Sequence, residues 1–123
     1  MFKINRKLKE LKHNGERISL AIIGCGKMGA SLINQLGDID AIEVGLVVEH
    51  TMSKAKTALI ESGISEDKII NTDSYDEAYE ALNKGFVVIS SNYRLAYKLL
   101  QITAVVDATG NPPFGAEIAS KSV

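Results

Sequence analysis

The chain of 123 residues has the size of one domain, and a hydrophobic content of 46% is enough to bury a core, which excludes a disordered segment. Its 14 basic and 15 acidic residues give a formal net charge of −1, which argues against nucleic acid or a membrane as the partner. No apolar run has the length of a membrane span, no secretory signal pattern opens the chain, and its single cysteine cannot form an internal disulfide, so we expect a cytoplasmic protein.

Residues 1–17 have a basic, helical pattern in which Ile4, Leu8 and Leu11 fall on one stripe. The pattern ends at the Asn14-Gly15 pair. We interpret this segment as a helical extension whose leucines pack against a neighbouring domain or subunit while its lysines face solvent. An anionic partner for those lysines is the alternative that we favour less.

An apolar run over residues 18–23 predicts a strand, and the chain then continues as Gly24, Gly26 and Gly29 in a GxGxxG pattern that opens a helix. The first glycine permits a tight turn, the second lets the backbone approach a pyrophosphate, and the third lets the helix pack close to the sheet. The N-terminus of that helix presents unpaired N–H groups to the phosphates. The pattern predicts dinucleotide binding, and a tight turn without a ligand is the alternative.

The second predicted strand covers residues 42–48 and is followed by Glu49, about twenty positions after the glycines. A carboxylate there can accept both ribose hydroxyls of NAD and repels the 2′-phosphate of NADP. A solvated strand end is the alternative for Glu49. We predict NAD as the cofactor, but NADP stays possible because His50, Thr51, Ser53 and Lys54 could donate to a 2′-phosphate.

Beyond this point helices and strands keep alternating. Ser74 and Glu77 form a capping box, in which each side chain accepts a bond from the other residue's backbone N–H. Helical patterns cover residues 53–62, 75–84 and 93–100, and strand patterns cover residues 68–72, 86–90 and 103–109. The alternation predicts an α/β domain of the Rossmann-like, doubly wound type, with a parallel sheet in the strand order 3-2-1-4.

The last predicted strand leads into Thr109, Gly110 and Asn111. Because we expect that strand beside the first one, these residues would lie across the crevice from Gly26, close to a nicotinamide ribose. Asn111 can also cap a further helix, and the helical pattern continues to the end of the chain. Since a complete dinucleotide-binding fold needs more strands, we expect residues 18–123 to be a Rossmann domain that is truncated before its last strands.

Truncation would leave a sheet edge and an apolar helix face uncovered near Val105 and Ile118, which favours a homo-oligomer. We predict no catalytic residue and no metal site in this chain. Cys25 is best interpreted as a small side chain beside the cofactor, and neither His13 nor His50 has a partner at metal-ligand spacing.

Three stretches together resemble one family. They are residues 24–29 (GCGKMG), residues 76–92 (DEAYEALNKGFVVISSN) and residues 105–112 (VVDATGNP). They are similar to the N-terminal domain of homoserine dehydrogenase-like, NAD(P)-dependent oxidoreductases that carry a C-terminal SAF domain. The glycine motif is shared with many dehydrogenases, so the resemblance depends mainly on the second and third stretches.

The resemblance implies that the pyrophosphate contacts the glycine loop (Gly24, Gly26, Lys27, Met28 and Gly29), that Glu49 holds the adenosine ribose, and that residues 109–111 face the nicotinamide. It also implies that a small hydroxy or carbonyl substrate binds through a further, C-terminal domain that is missing here. The alternatives are a non-catalytic NAD(H)-sensing module and the first domain of a sugar dehydrogenase or a sugar-phosphate reductoisomerase. A methyltransferase is a weaker alternative, because the first strand has no acidic residue.

Overall fold

The computed structural model describes residues 18–24, 26–36, 42–108 and 117–120. Within these residues the strands are β1 (Ile18–Ile23), β2 (Ile42–Val48), β3 (Ile69–Asn71), β4 (Val87–Ser90), β5 (Ala104–Asp107) and β6 (Glu117–Ser120). The helices are α1 (Lys27–Leu36), α2 (Met52–Glu61), α3 (Tyr75–Asn83) and α4 (Arg94–Lys98), with a short 3₁₀ turn at Glu66–Lys68. Strands and helices alternate as the sequence predicts, and the predicted bounds of β1 and β2 are confirmed.

The strands form one sheet in the order β3-β4-β2-β1-β5-β6. The first five strands in this order pair with one another in parallel, so the α/β, Rossmann-like class is confirmed. The predicted order 3-2-1-4 is wrong in detail, because β4 lies between β3 and β2. All four residues of β4 are buried, whereas β3 is three residues long and partly exposed, so β4 takes the interior position and β3 the edge. The prediction that the strand leading to Thr109 lies beside the first strand is confirmed, because β5 pairs with β1.

The structure corrects the prediction of a helix at the end of the chain. Residues 117–120 are the strand β6, antiparallel to β5, with Val105 opposite Ala119. As a strand, these residues satisfy the backbone groups along the side of β5 that faces away from β1, which a helix could not do. The uncovered sheet edge expected near Val105 is therefore also wrong, since β6 pairs with that edge.

Apolar side chains cover both faces of the sheet. Successive residues of β1 point to opposite faces, so Leu20 and Ile22 join one buried cluster and Ala21 joins the other. The first cluster includes the inner faces of α1 and α2, and the second includes those of α3 and α4. No helix in the described part of the chain is long and apolar enough to cross a bilayer.

A bulge at Gly45 adjusts β2 to β1. Leu20 is paired with Val44 but Ala21 is paired with Leu46, so Gly45 is an extra residue in β2. A Cβ on Gly45 would lie 2.5 Å from the Ser19 Oγ and 3.2 Å from the Ile102 Cδ1. Glycine is required here by packing, and the bulge sets the register with which both strands reach their carboxyl ends.

Half of the capping box predicted for α3 is formed. The Ser74 Oγ accepts a hydrogen bond from the Glu77 N–H at 3.5 Å. The Ser74 N–H, however, donates to the Thr72 Oγ1 at 3.1 Å. A threonine hydroxyl thus takes the place that the capping box gives to a glutamate carboxylate.

Candidate functional site

A cleft of about 300 Å³ opens at the carboxyl edge of the sheet, where parallel α/β sheets bind their ligands. The ends of three strands meet there, because the Gly24 N–H donates to the Val48 carbonyl oxygen and the Ala108 N–H donates to the Ile23 carbonyl oxygen, both at 2.8 Å. The cleft is lined by Ile23, Gly24, Gly26, Val48, Glu49, His50 and Ala108. Of the predicted cofactor-binding residues, the structure therefore brings Gly24, Gly26, Glu49 and His50 together.

The three glycines of the loop are required for different reasons. Gly24 has a φ of +91°, a left-handed conformation that favours glycine at the turn out of β1. A Cβ on Gly29 would overlap the carbonyl oxygen of Gly24, so a glycine is needed for α1 to approach the strand. Gly26 has neither constraint: it is exposed, its φ lies outside the left-handed region, and a Cβ there would meet no atom of the described residues within 4 Å. Backbone conformation therefore explains Gly24 and packing explains Gly29, whereas the described residues give no such reason for Gly26.

Helix α1 begins beside the cleft. The Gly26 carbonyl oxygen accepts a hydrogen bond from the Ala30 N–H at 2.9 Å, which makes Gly26 the residue that caps the helix. The N–H groups of the first helical turn have no acceptor within a helix, and the helix dipole adds partial positive charge at this end. Both effects favour an anionic group in the cleft. The side chains of Lys27 and Met28 lie outside the described residues, as do Cys25 and the predicted nicotinamide-side residues Thr109, Gly110 and Asn111.

Glu49 is half-buried at the end of β2 and is fixed at two points. Its backbone N–H donates to the Ser90 carbonyl oxygen at 2.8 Å, which ties it to β4. Its Oε1 accepts a hydrogen bond from the Thr51 N–H at 3.2 Å, at the start of α2. A carboxylate offers about four lone-pair positions, so this bond is compatible with hydroxyl donors from a ligand.

A second groove of about 410 Å³ meets the cleft at Gly26 and runs between α1 and α2. Its walls include the polar side chains of Ser53, Lys54, Thr57 and Glu61. Two hydroxyls and an ammonium group therefore lie near the cleft, and these are donor groups that suit a 2′-phosphate.

A polar cluster that the sequence did not predict lies at the ends of β3 and β4. The Asp73 Oδ1 accepts hydrogen bonds from the Ser90 Oγ at 2.7 Å and the Ser91 N–H at 2.8 Å, and its Oδ2 accepts one from the Ser91 Oγ at 2.8 Å. The hydrogen bonds from Ser90 and Ser91 lower the pKa of Asp73. The available signal was a run of polar residues, Ser90 to Asn92, directly after a buried strand.

A larger cavity, about 530 Å³, lies at the opposite, amino end of the sheet around Gly45 and Ile42. Because ligands of parallel α/β sheets bind at carboxyl ends, the smaller cleft is the candidate site. Within the described residues no three side chains of His, Cys, Asp or Glu are grouped to hold a metal ion.

No protein-family model matches this sequence, and no curated protein matches it. The assignment of a function therefore depends on the geometry of the cleft and on the resemblance of the three stretches.

Proposed function

We propose that this chain is the NAD-binding domain of an oxidoreductase similar to the homoserine dehydrogenase-like, SAF-domain-containing family. The observation that carries the proposal is Gly26. Neither its φ nor any atom of the described residues explains its lack of a side chain, and it lies between a cleft and the start of a helix. A pyrophosphate that approaches the backbone at this point supplies the missing reason.

The cleft gives each part of NAD a partner. The pyrophosphate lies on the backbone of Gly24 and Gly26, at the positive end of α1. The adenosine ribose donates its hydroxyls to Glu49. The nicotinamide then extends toward β5, on the side of Ala108. This order follows the sheet, in which β2, β1 and β5 are neighbours.

In the intact enzyme, bound NAD supplies hydride transfer, and the residues described here bind and orient it. We assign the substrate, a small hydroxy or carbonyl compound, and its catalytic residues to a further domain. The 123-residue chain alone is accordingly expected to bind dinucleotide without turning over any substrate.

Calorimetric titration of the chain with NAD⁺ tests the proposal, with Gly26→Val and Asn34→Val compared. The valine at position 26 places a branched side chain where the pyrophosphate would approach, so NAD⁺ affinity should fall by about a hundredfold or more, equivalent to about 2.7 kcal/mol. Asn34 is exposed on the same helix, away from the cleft, and its replacement should leave the affinity unchanged. If Gly26→Val binds NAD⁺ as tightly as the parent, the pyrophosphate does not lie on this loop.

NADP is the second candidate cofactor, favoured by the groove between α1 and α2. Ser53, Lys54 and Thr57 there offer two hydroxyl donors and a positive charge, which suit a 2′-phosphate. Glu49 opposes this choice, since its carboxylate would face the phosphate charge. We therefore propose NAD as the preferred cofactor.

A further inference from the structure

The cluster of Asp73, Ser90 and Ser91 lies on the same carboxyl edge as the cleft. The sheet order places β3 beside β4 and β4 beside β2, so the ends of these strands follow one another along the edge. Asp73 follows β3, Ser90 ends β4, and Glu49 follows β2. A chain of hydrogen bonds connects all three.

The first part of this chain holds the end of β4. Ser90 is fully buried, and its Oγ both donates to the Asp73 Oδ1 at 2.7 Å and accepts from the Asn92 N–H at 3.0 Å. Ser91 adds two further bonds to the same carboxylate, from its backbone and its hydroxyl. One carboxylate thus fixes the two residues at which β4 ends and the chain turns away.

The second part connects β4 to the cleft. The Ser90 carbonyl oxygen accepts the Glu49 N–H at 2.8 Å, one residue beyond the last residue of β2. The Val48 carbonyl oxygen in turn accepts the Gly24 N–H at 2.8 Å. A shift of the end of β4 would therefore move the backbone of Glu49 relative to the glycine loop.

We propose that Asp73 is a positioning residue for dinucleotide selection, which acts through Ser90 to hold the Glu49 carboxylate at the adenosine ribose. The inference rests on the proposed function, because it needs a dinucleotide in the cleft. Asp73 itself does not line the cleft. Its effect should appear in the interaction of Glu49 with the adenosine ribose, and this interaction distinguishes NAD from NADP. The phosphate contacts of the glycine loop, which both cofactors share, should not change.

A double-mutant cycle on Asp73 and Glu49, read by titration with NAD⁺ and NADP⁺, tests this inference. Asp73→Ala should weaken NAD⁺ binding roughly fivefold and NADP⁺ binding less than about twofold. The displaced Glu49 carboxylate loses its hydrogen bonds from the ribose hydroxyls, while the pyrophosphate contacts remain. In the Glu49→Ala background the same change at Asp73 should have almost no further effect on NAD⁺.

Two variants separate the hydrogen bonds from a general effect of charge. Asp73→Asn keeps an oxygen that can accept from Ser90 and from the Ser91 N–H, so it should retain most of the parent's cofactor ratio. Asp76→Ala removes a carboxylate three residues away, in the first turn of α3, and should change neither affinity. Should Asp73→Ala fail to fold, Ser91→Ala removes only one hydroxyl bond to Asp73. It should then lower NAD⁺ affinity about twofold with NADP⁺ affinity unchanged.

The outcomes separate the inference from the function on which it rests. If the parent binds neither cofactor, the proposed function fails and the inference fails with it. If the parent binds NAD⁺ but Asp73→Ala weakens both cofactors equally, or if its effect persists without Glu49, the cofactor site stands and Asp73 has only a structural role. Loss confined to NAD⁺, and dependent on Glu49, supports the inference.

Discussion

The bulge in β2 and the turn after β1 both depend on glycine, but for opposite reasons. At Gly45 the space beside the backbone is filled, since the Ser19 Oγ and the Ile102 Cδ1 lie within 3.2 Å of where a Cβ would be. At Gly26 the space is open among the residues that the structure describes, since none of their atoms lies within 4 Å of where a Cβ would be. Gly45 is needed for the chain to fold. The described residues give Gly26 no such reason, which is why the proposed binding site rests on the turn and not on the bulge.

The largest expected effect is on the fold, from Gly45→Val. Its side chain would have to displace Ser19, Leu82 and Ile102 in the core, which should lower the free energy of unfolding by about 3 kcal/mol, the upper part of the range for overpacking. Urea unfolding measures this loss. Adding Ser19→Ala should recover part of the stability, because the nearest clashing atom is removed. A Gly45→Val variant as stable as the parent would contradict the bulge.

The next effect is on ligand choice, from Glu49→Ser. The parent should prefer NAD⁺ over NADP⁺ roughly a hundredfold. The Glu49 carboxylate accepts hydrogen bonds from the ribose hydroxyls of NAD⁺ and repels the 2′-phosphate of NADP⁺. The serine variant should lose or invert this preference while its stability changes little. Titration with both cofactors measures the ratio. A parent that prefers NADP⁺, or a variant that keeps the parent's ratio, would show that Glu49 does not select the cofactor and would favour the groove with Lys54.

The smallest expected effect is on the pH dependence of stability. The hydrogen bonds from Ser90 and Ser91 hold the pKa of Asp73 below its usual value of 3.8. A carboxyl group with a lowered pKa stabilises the fold fully above that usual value, and this stabilisation is lost as the pH falls through the lowered pKa. The free energy of unfolding, measured below pH 4, should therefore change with pH slightly less in Asp73→Asn than in the parent. Equal slopes would mean that the ionised form of Asp73 is not favoured by folding.

Local sequence patterns predicted the elements around the cleft. The runs over residues 18–23 and 42–48 are long and mainly apolar, and they end at Gly24 and Glu49, so β1 and β2 appear with the predicted bounds. The glycine motif and Glu49 follow them directly. For the same reason the residues that line the cleft from β1 and β2 were predictable, whereas Ala108 has no distinguishing side chain.

Features that depend on which strands pair could not be predicted in this way. The order of β3 and β4 depends on which of two short apolar segments competes better for the interior, and their patterns differ little until burial is known. The contacts between Asp73 and Ser91 join residues 18 positions apart and exist only because β3 and β4 are neighbours. Pairing with β5 likewise decides that residues 117–120 form a strand, although their sequence also suits a helix.

The most direct test compares the free energy of unfolding of the parent and Gly26→Val, each with and without NAD⁺. Without ligand the two should differ by at most about 1 kcal/mol, the cost of a poorer residue at the start of α1. With NAD⁺ at 100 times the parent's Kd, the parent should gain about 2.7 kcal/mol and Gly26→Val only about 0.4 kcal/mol, because a hundredfold weaker site is half filled. Equal gains in both proteins, or no gain in the parent, would contradict a dinucleotide at this loop.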